Sequence, residues 1–313
     1  MDAMIGQSGV RTASVEARLC VLGSGSKANC SVLHTRSVDA RGTSRDSVCL
    51  IDLGFSPRAT ERLLGEVGLS FEMVEAVLLT HLDSDHCHAG WNAPDALPRA
   101  AELLLHDKHL QRAYSRGLNG GRLRPFRGER GKCGERFSLE SAGLEVHPLM
   151  TFHDDLGVAV FHVTVGDGPE APSFGYATDL GRVTDELIGH LGVDGAMGGV
   201  DVLVIESNYC PKLQVASDRP EFLKRRVMGG RGHLSNHETL EAVEAIMPRE
   251  HVVLVHLSQQ CNDPELVSGL HEGCVGGYTL TISTQDAPTR WVPVRRQART
   301  EIITRTGQMR MWA

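Results

Sequence analysis

Short apolar runs rich in branched residues recur along this chain, separated by polar or glycine-containing stretches. ARLCVLG (17–23), CSVLH (30–34), VCLID (48–52), the run 75–79 and ELLL (102–105) read as strands in the first half. In the second half 136–139, 144–150, 157–165, FGYAT (174–178), DVLVIE (201–206), HVVLVH (251–256) and YTLTIST (278–284) read the same way. Helical spacing appears between them. It covers Pro57 to Val67, with Ser56 as N-cap, then Asp107 to Arg116, Val183 to Leu191, a stretch near 236–247 and 263–270. The start Ser235-Asn236-His237-Glu238 fits a capping box. Residues 35–46 are polar and read as a mobile hairpin loop, and Gly117 to Gly134 as a Gly- and Arg-rich loop. Strands in both halves with interspersed helices predict an α/β protein, two sheets with helices outside, in one domain.

Composition narrows the setting. The chain has 313 residues, 41% hydrophobic and 23% charged, enough for one large core or two small ones. No apolar run approaches bilayer length, so no membrane partner is expected. The start, MDAMIGQSGVRTASVEAR, lacks the apolar core of a signal peptide. Residues 1–16 therefore read as a disordered lead-in, 17–290 as the domain, 291–313 as an Arg-rich tail, and the protein as cytoplasmic. The 8 cysteines are scattered without CxxC pairs, as expected of buried reduced thiols rather than a disulfide scaffold. A net charge of −7 does not advertise nucleic-acid binding, but a local basic patch is what meets phosphate. The 15 histidines are a high count for the commonest metal ligand.

Metal-competent side chains gather where apolar strands end. Thr80-His81-Leu82-Asp83-Ser84-Asp85-His86 directly follows Val77-Leu78-Leu79. If the chain stays extended there, alternation separates Leu82 and Ser84 from His81, Asp83 and Asp85. His153 follows VHPLMTF, Asp179 follows FGYAT and His256 follows VVLV. Brought to one edge, these ends would form a dinuclear site with His and carboxylate ligands. His147, His190, His237 and His251 read as surface or packing residues.

These residues reach a known pattern. THLDSDH at 80–86 resembles the T-H-x-H-x-D-H motif of the metallo-β-lactamase fold superfamily. VLGSGSKANC (21–30), LIDLGFS (50–56), FGYATDLG (174–181), VLVIESN (202–208), LKRRVMGGRGHLSN (223–236) and HLS (256–258) resemble its YycJ-like (WalJ) branch. The resemblance spans about residues 17–290. It implies a four-layer αββα sandwich with the site at one edge between the sheets. It also implies that His81, residue 83 and His153 hold a first metal, that Asp85, His86 and His256 hold a second, and that Asp179 bridges them. Members of the branch resemble metal-dependent nucleases, with exonuclease action on duplex DNA proposed.

The chain departs from that pattern at several positions. Position 83 is Asp where the family has His. The diiron flavoprotein branch of the superfamily carries Glu at this place, so a carboxylate is compatible with metal. A harder oxygen ligand suits manganese or iron, so these stand beside zinc as the expected pair of divalent ions. Tyr209 and Cys210 replace a usual His-Asp pair, Val255 replaces a common Gly, and His88 is an extra imidazole expected at the rim. Cys87 is not assigned as a ligand.

Two metals about 3.5–4 Å apart can share a hydroxide and clamp a phosphoryl oxygen. The expected reaction is phosphodiester hydrolysis, most simply of DNA, with Asp85 or Asp179 orienting the nucleophile or taking its proton. His233 is the candidate for binding phosphate or protonating the leaving oxygen, or else a helix-entry residue. The segment 219–231, with Lys224, Arg225 and Arg226, is either a phosphate-backbone contact or a solvated helix face; the resemblance of LKRR favours the former. Ser24, Ser26 and Asn29 of GSGSKAN, with Asn208, Ser235 and Asn236, complete the expected substrate contacts. The Arg-rich tail reads as non-specific DNA affinity or as a disordered end. Only 5% of residues are aromatic, which argues for contact with phosphates over base-specific recognition of single strands. The 76 residues 180–255 between Asp179 and His256 leave no room for the long insertion of RNA-processing relatives. Two alternatives stay open: a hydrolase of a small cyclic phosphate, ester, lactone or thioester, and a homologue that binds metal without turnover.

Overall fold

The computed structural model describes residues 12–39, 41–93, 95–118, 122–153, 155–273 and 277–296. The chain runs β1 (Thr12–Gly23), β2 (Cys30–Asp39), β3 (Ser44–Ile51), α1 (Pro57–Glu66), β4 (Val74–Leu78), β5 (Glu102–His106), α2 (Leu110–Ser115) and β6 (Leu123–Phe126). It continues β7 (Phe137–Leu139), β8 (Leu144–Thr151), β9 (Val158–Val165), β10 (Ser173–Ala177), α3 (Asp185–Leu191) and β11 (Val202–Glu206). Then follow α4 (Pro211–Ala216), α5 (Glu221–Met228), α6 (Asn236–Ile246), β12 (His251–Val255), α7 (Pro264–His271), β13 (Thr279–Ile282) and β14 (Val292–Val294).

Two seven-stranded sheets result, β14-β1-β2-β3-β4-β5-β6 and β13-β12-β11-β10-β9-β8-β7. Three apolar layers hold them. Leu19, Val21, Ile51 and Leu78 of the first sheet meet Phe161, Phe174, Val204 and Val253 of the second in the central layer. Leu63 and Leu64 of α1 pack with Leu50 and Val77 on the outer face of the first sheet. Leu187, Val243 and Val267 from α3, α6 and α7 pack with Leu203 and Leu254 on the outer face of the second. The protein is an αββα sandwich. Among the described residues no helix is long and apolar enough to cross a membrane.

Local chemistry explains the helix starts that matter most. Ser56 accepts a bond from the Ala59 N–H ahead of Pro57, which suits the first turn. Ser235 and Glu238 close a reciprocal capping box on α6. Direction then delivers the site. β10, β11 and β12 are parallel neighbours, and β8 is antiparallel to β9, which is antiparallel to β10. The C-terminal ends of β8, β10, β11 and β12 therefore share one edge, where the chain places His153, Asp179, Glu206 and His256.

Three stretches differ from expectation. The polar segment 35–46 is mostly strand: β2 and β3 continue to the pair Val38↔Ser44, tied by Arg36 and His34 on Asp46 at 3.0 and 2.8 Å. Cross-strand ion pairs let polar residues hold a ladder that hydrophobic patterning does not signal. The Gly- and Arg-rich segment contains β6, a sheet-edge strand in which Pro125 is tolerated. At the C-terminus, β14 pairs with β1, so the first sheet reaches from Thr12 to Val294, beyond the expected limits of 17 and 290. Residues 1–11 and 297–313 lie outside the described residues, Arg299, Arg305 and Arg310 among them.

Arg296, placed in the expected Arg-rich tail, is an internal partner. Its Nε lies 3.2 Å from Oδ1 of the fully buried Asp201, whose other oxygen accepts the Ser173 N–H at 2.8 Å. Removing one member of a buried charge pair strands the rest. Asp201→Ala should lower unfolding free energy by about 3 kcal/mol in urea titration, with β14 losing amide protection first.

Candidate metal centre

The THLDSDH segment does not stay extended. Backbone N–H groups of His86 and Cys87 both donate to the Asp83 carbonyl, at 2.9 and 2.8 Å, and the chain turns at 84–86. The turn swings His86 inward, fully buried, while Ser84 points to solvent. Asp52, Asp179 and His256 sit at strand ends with φ of 63°, 53° and 58°. Left-handed backbone is uncommon for residues with a Cβ and concentrates at functional sites. Gly54 permits the close approach of these loops: a Cβ there would lie 2.0 Å from the Asp85 carbonyl and 2.4 Å from Asn29 N.

Two groups of side chains converge on Asp179. His86 Nε2 lies 2.8 Å from Asp179 Oδ2 and 3.6 Å from Asp85 Oδ2, and His256 Nε2 lies 3.2 Å from Asp85 Oδ2 and 3.5 Å from Asp179 Oδ1. Asp85, His86, Asp179 and His256 could hold one ion, and His81, His153 and Asp179 another. Asp83 Oδ2 faces the second group, 3.9 Å from His81 Nε2 and 4.0 Å from His153 Nε2. The buried His81 Nε2 has no hydrogen-bond partner. An unpartnered buried nitrogen facing carboxylate oxygens is costly without a cation between them, so the donor set fits divalent metal.

The far ring nitrogens of His81, His86 and His153 are tied down as metal-binding imidazoles require. The Asp52 carboxylate accepts from His86 Nδ1 at 2.7 Å and from the Thr80 N–H and hydroxyl at 2.8 and 2.9 Å. The Gly232 carbonyl accepts from His153 Nδ1 at 3.2 Å. His81 Nδ1 meets Thr80 Oγ1 at 3.0 Å, and the Asn208 amide contacts His256 Nδ1 at 2.9 Å while donating to the His256 carbonyl.

Burial and mutual charge set the protonation pattern. Burial works against ionised Asp179, but His256 and His86 outweigh it and hold the carboxyl well below the usual range. Burial likewise disfavours charged His86, yet Asp179 and Asp52 raise its pKa well above that of a free imidazole. Burial, reinforced by His86, pushes His81 well below it. Glu206 is raised well above an ordinary carboxyl by burial and by Asp179.

A cavity of about 400 Å³ opens above this floor. Asp83, Asp85, His153 and Asp179 line one side; Arg112, Arg116, Arg226 and His233 stand around it with Leu223 and Val227. Of the residues expected at the substrate, Arg226 and His233 line it. The Glu206 carboxylate accepts from His233 Nδ1 at 3.1 Å, leaving Nε2 as the ring's other polar atom.

Most of the remaining expected substrate contacts have internal partners, and two are exposed away from the cavity. Ser24 donates to Asn29 Oδ1 at 2.7 Å and accepts the His256 N–H at 2.8 Å. Asn29 donates to the Asp85 carbonyl at 3.3 Å and lies 3.1 Å from His86 Nε2. Ser26 is exposed outside the cavity lining. Asn208 braces His256, Ser235 caps α6, and Asn236 bonds Ser207 and Asn262. Lys224 donates to the Val215 carbonyl at 2.8 Å, and Arg225 is exposed away from the lining.

Tyr209 is buried with Val227 and Cys261 in a small apolar cluster. His88 is exposed and accepts the Gly90 N–H. Burial pushes the Cys87 thiol up to about 12.

Sequence reading missed Asp52, Glu206, Arg112 and Arg116. The first two end VCLI-D and VLVI-E, the same acid-after-strand signal that marked Asp179. The arginines carry no such signal, because nothing in the sequence reveals which way α2 faces.

Comparison with known proteins agrees with this fold. The beta-lactamase superfamily domain matches residues 48–257, and the chain belongs to that family. Exodeoxyribonuclease WalJ of Streptococcus pneumoniae is 26% identical over 254 residues, 79% of this chain and 83% of the relative. Exodeoxyribonuclease YycJ of Bacillus anthracis is 26% identical over 228 residues, 69% of this chain and 76% of the relative. Among solved structures, human tRNase Z short form superposes with a TM-score of 0.55 at 14% identity, over 87% of this chain and 98% of that one. Long-form RNase Z from yeast gives 0.58 at 12% identity, over 92% of this chain but only 42% of its own length. At these identities the structural likeness speaks for the fold.

Because raised His86 holds a proton in the metal-free protein, its stabilising contribution is full below about pH 6.5 and fades as pH rises through the folded pKa. Metal must displace that proton. Manganese affinity should therefore rise with pH, with net proton release in calorimetry run in two buffers of different ionisation enthalpy. Asp52→Asn should weaken metal binding roughly 10- to 100-fold, read by the same titration.

Proposed function

We propose that this chain is a dinuclear-metal-dependent phosphodiesterase acting on DNA, most simply as an exonuclease. The observation that carries the reading is the cavity itself: a carboxylate–imidazole floor centred on Asp179 beneath guanidinium groups of Arg112, Arg116 and Arg226. An anionic substrate that must also meet cations fits such a pairing. Two relatives bear the name exodeoxyribonuclease, which supports DNA as the substrate.

In this proposal His81, Asp83 and His153 hold one ion, Asp85, His86 and His256 the other, and Asp179 contributes to both. Asp83 makes manganese or iron as suitable as zinc. The ions, when bound, supply Lewis acidity towards the phosphoryl group and acidify water. The chain's own groups do the rest. Arg112, Arg116 and Arg226 grip phosphate oxygens and neutralise charge that develops on them. Asp85 and Asp179 orient the attacking water from below. His233, held by Glu206 through Nδ1, presents Nε2 to the leaving oxygen; burial lowers its pKa while Asp179 and Asp85 favour the charged ring, and only that imidazolium form carries an Nε2 proton to deliver. Glu206 is a positioning residue here. We assign the reaction to the cytoplasm, a placement supported by the free, mostly buried thiols of the described cysteines.

The test uses purified protein with duplex and single-stranded DNA, RNA and bis-p-nitrophenyl phosphate, in manganese and in zinc. DNA cleavage abolished by Asp85→Ala is the expected result. Turnover of the small ester alone would replace the reading with a small-molecule hydrolase, and metal binding without turnover would leave a binding protein. Arg226→Ala should raise KM for DNA roughly tenfold and flatten its salt dependence by about one phosphate contact, while Arg225→Ala leaves both near wild type.

A further inference from the structure

We infer that Arg112 is the positioning residue that makes an aspartate workable at position 83. This rests on the metal-centre reading above and adds to it a role for Arg112. Arg112 Nη1 lies 3.0 Å from Asp83 Oδ1, whereas Asp83 Oδ2 lies 3.9 and 4.0 Å from His81 Nε2 and His153 Nε2. The carboxylate thus divides its two oxygens, one towards α2 and one towards the imidazoles. The division decides how Asp83 can serve. An imidazole at this place would present one nitrogen in a direction set by its ring. A carboxylate on a short side chain has two equivalent oxygens and rotates freely unless one is engaged. Arg112 engages one, which leaves the other as a single donor facing His81 and His153.

Charge points the same way. Replacing neutral imidazole with carboxylate adds a negative charge to a floor that already holds Asp85 and Asp179. The Arg112 guanidinium is the cation that faces Asp83 from the neighbouring helix, at a partly exposed position where a substrate phosphate can also reach its remaining N–H groups. Arg116 is anchored separately, on the Leu82 carbonyl, and does not duplicate this contact.

The experiment is metal titration of the full chain after chelator treatment, with manganese calorimetry and the visible spectrum of the cobalt-loaded protein as readouts that need no turnover. The variants are R112A, R112K, D83H and D83H with R112A, each checked for an unchanged thermal melt. Arg112→Ala should weaken one manganese-binding event roughly 10- to 100-fold and shift the cobalt bands, and Arg112→Lys should recover part of the loss by keeping the charge. In the Asp83→His background the same Arg112→Ala change should cost less than threefold, because no carboxylate is left to orient. Equal losses in both backgrounds, or wild-type affinity in R112A, would overturn the inference while leaving the metal centre in place. Wild-type protein that takes up no ion would overturn the metal centre and this inference together.

Discussion

Burying the Asp179 carboxylate, 2% exposed and in a left-handed backbone conformation, would be prohibitive without positive charge around it. His86, its pKa raised well above a free imidazole's, supplies that charge in the protein as it stands, and His256 and His153 lie at 3.5 and 3.9 Å. The fold is arranged so that these residues have no choice but to meet. β8, β10, β11 and β12 end at one edge of the second sheet, and the β4 end delivers His81 and the 84–86 turn from the first. The two sheets are held together by the apolar layer between them, so the geometry of the charged centre is inherited from the hydrophobic core behind it. A site on strand ends backed by such a core can be precise where a site on free loops cannot.

The bracing around that centre falls into two tiers. Asp52, Asn208 and the Gly232 carbonyl fix imidazoles through their far nitrogens. Behind them, Ser24 and Asn29 tie the glycine loop to His256 and Asp85. GSGSKAN therefore serves the floor of the cavity from the inside. Its glycines matter for close approach between loops, the role that Gly54 shows most clearly.

What the sequence made legible follows from periodicity and from strand ends. Apolar runs located the strands because burial on both faces leaves an unbroken signal, as in VLVIE of β11. The same runs made His81, His153, Asp179 and His256 visible as polar punctuation after apolar text. β6, β14 and the outer halves of β2 and β3 were not visible, since their stability comes from neighbours and ion pairs. Asp52 and Glu206 were legible by the strand-end rule that marked Asp179, but the rule was not carried to the ends of VCLI and VLVI. Substrate contacts were the least legible. LKRR carries three cations, but α5 turns Arg226 into the cavity and Arg225 away from it, and Lys224 is spent on a backbone carbonyl. Arg112 and Arg116 lie four residues apart on the segment of α2 and its C-cap, a spacing that predicts a shared face but not its direction.

Net charge misleads for the same reason. A chain at −7 carries local positive potential above a negative floor, and what an anionic substrate meets is that gradient. The gradient also bears on the choice of residue at position 83. A carboxylate there deepens the negative floor and would repel a phosphate unless the wall compensates. A guanidinium can do this while still binding substrate, because its five donors form a rigid planar fork, so one edge can hold Asp83 as another meets an oxygen across the cavity. A lysine at 112 would have to choose between them. The departure at 83 thus reads as half of a pair whose other half lies 29 residues downstream, at 112, on a helix that the ligand motif itself does not include.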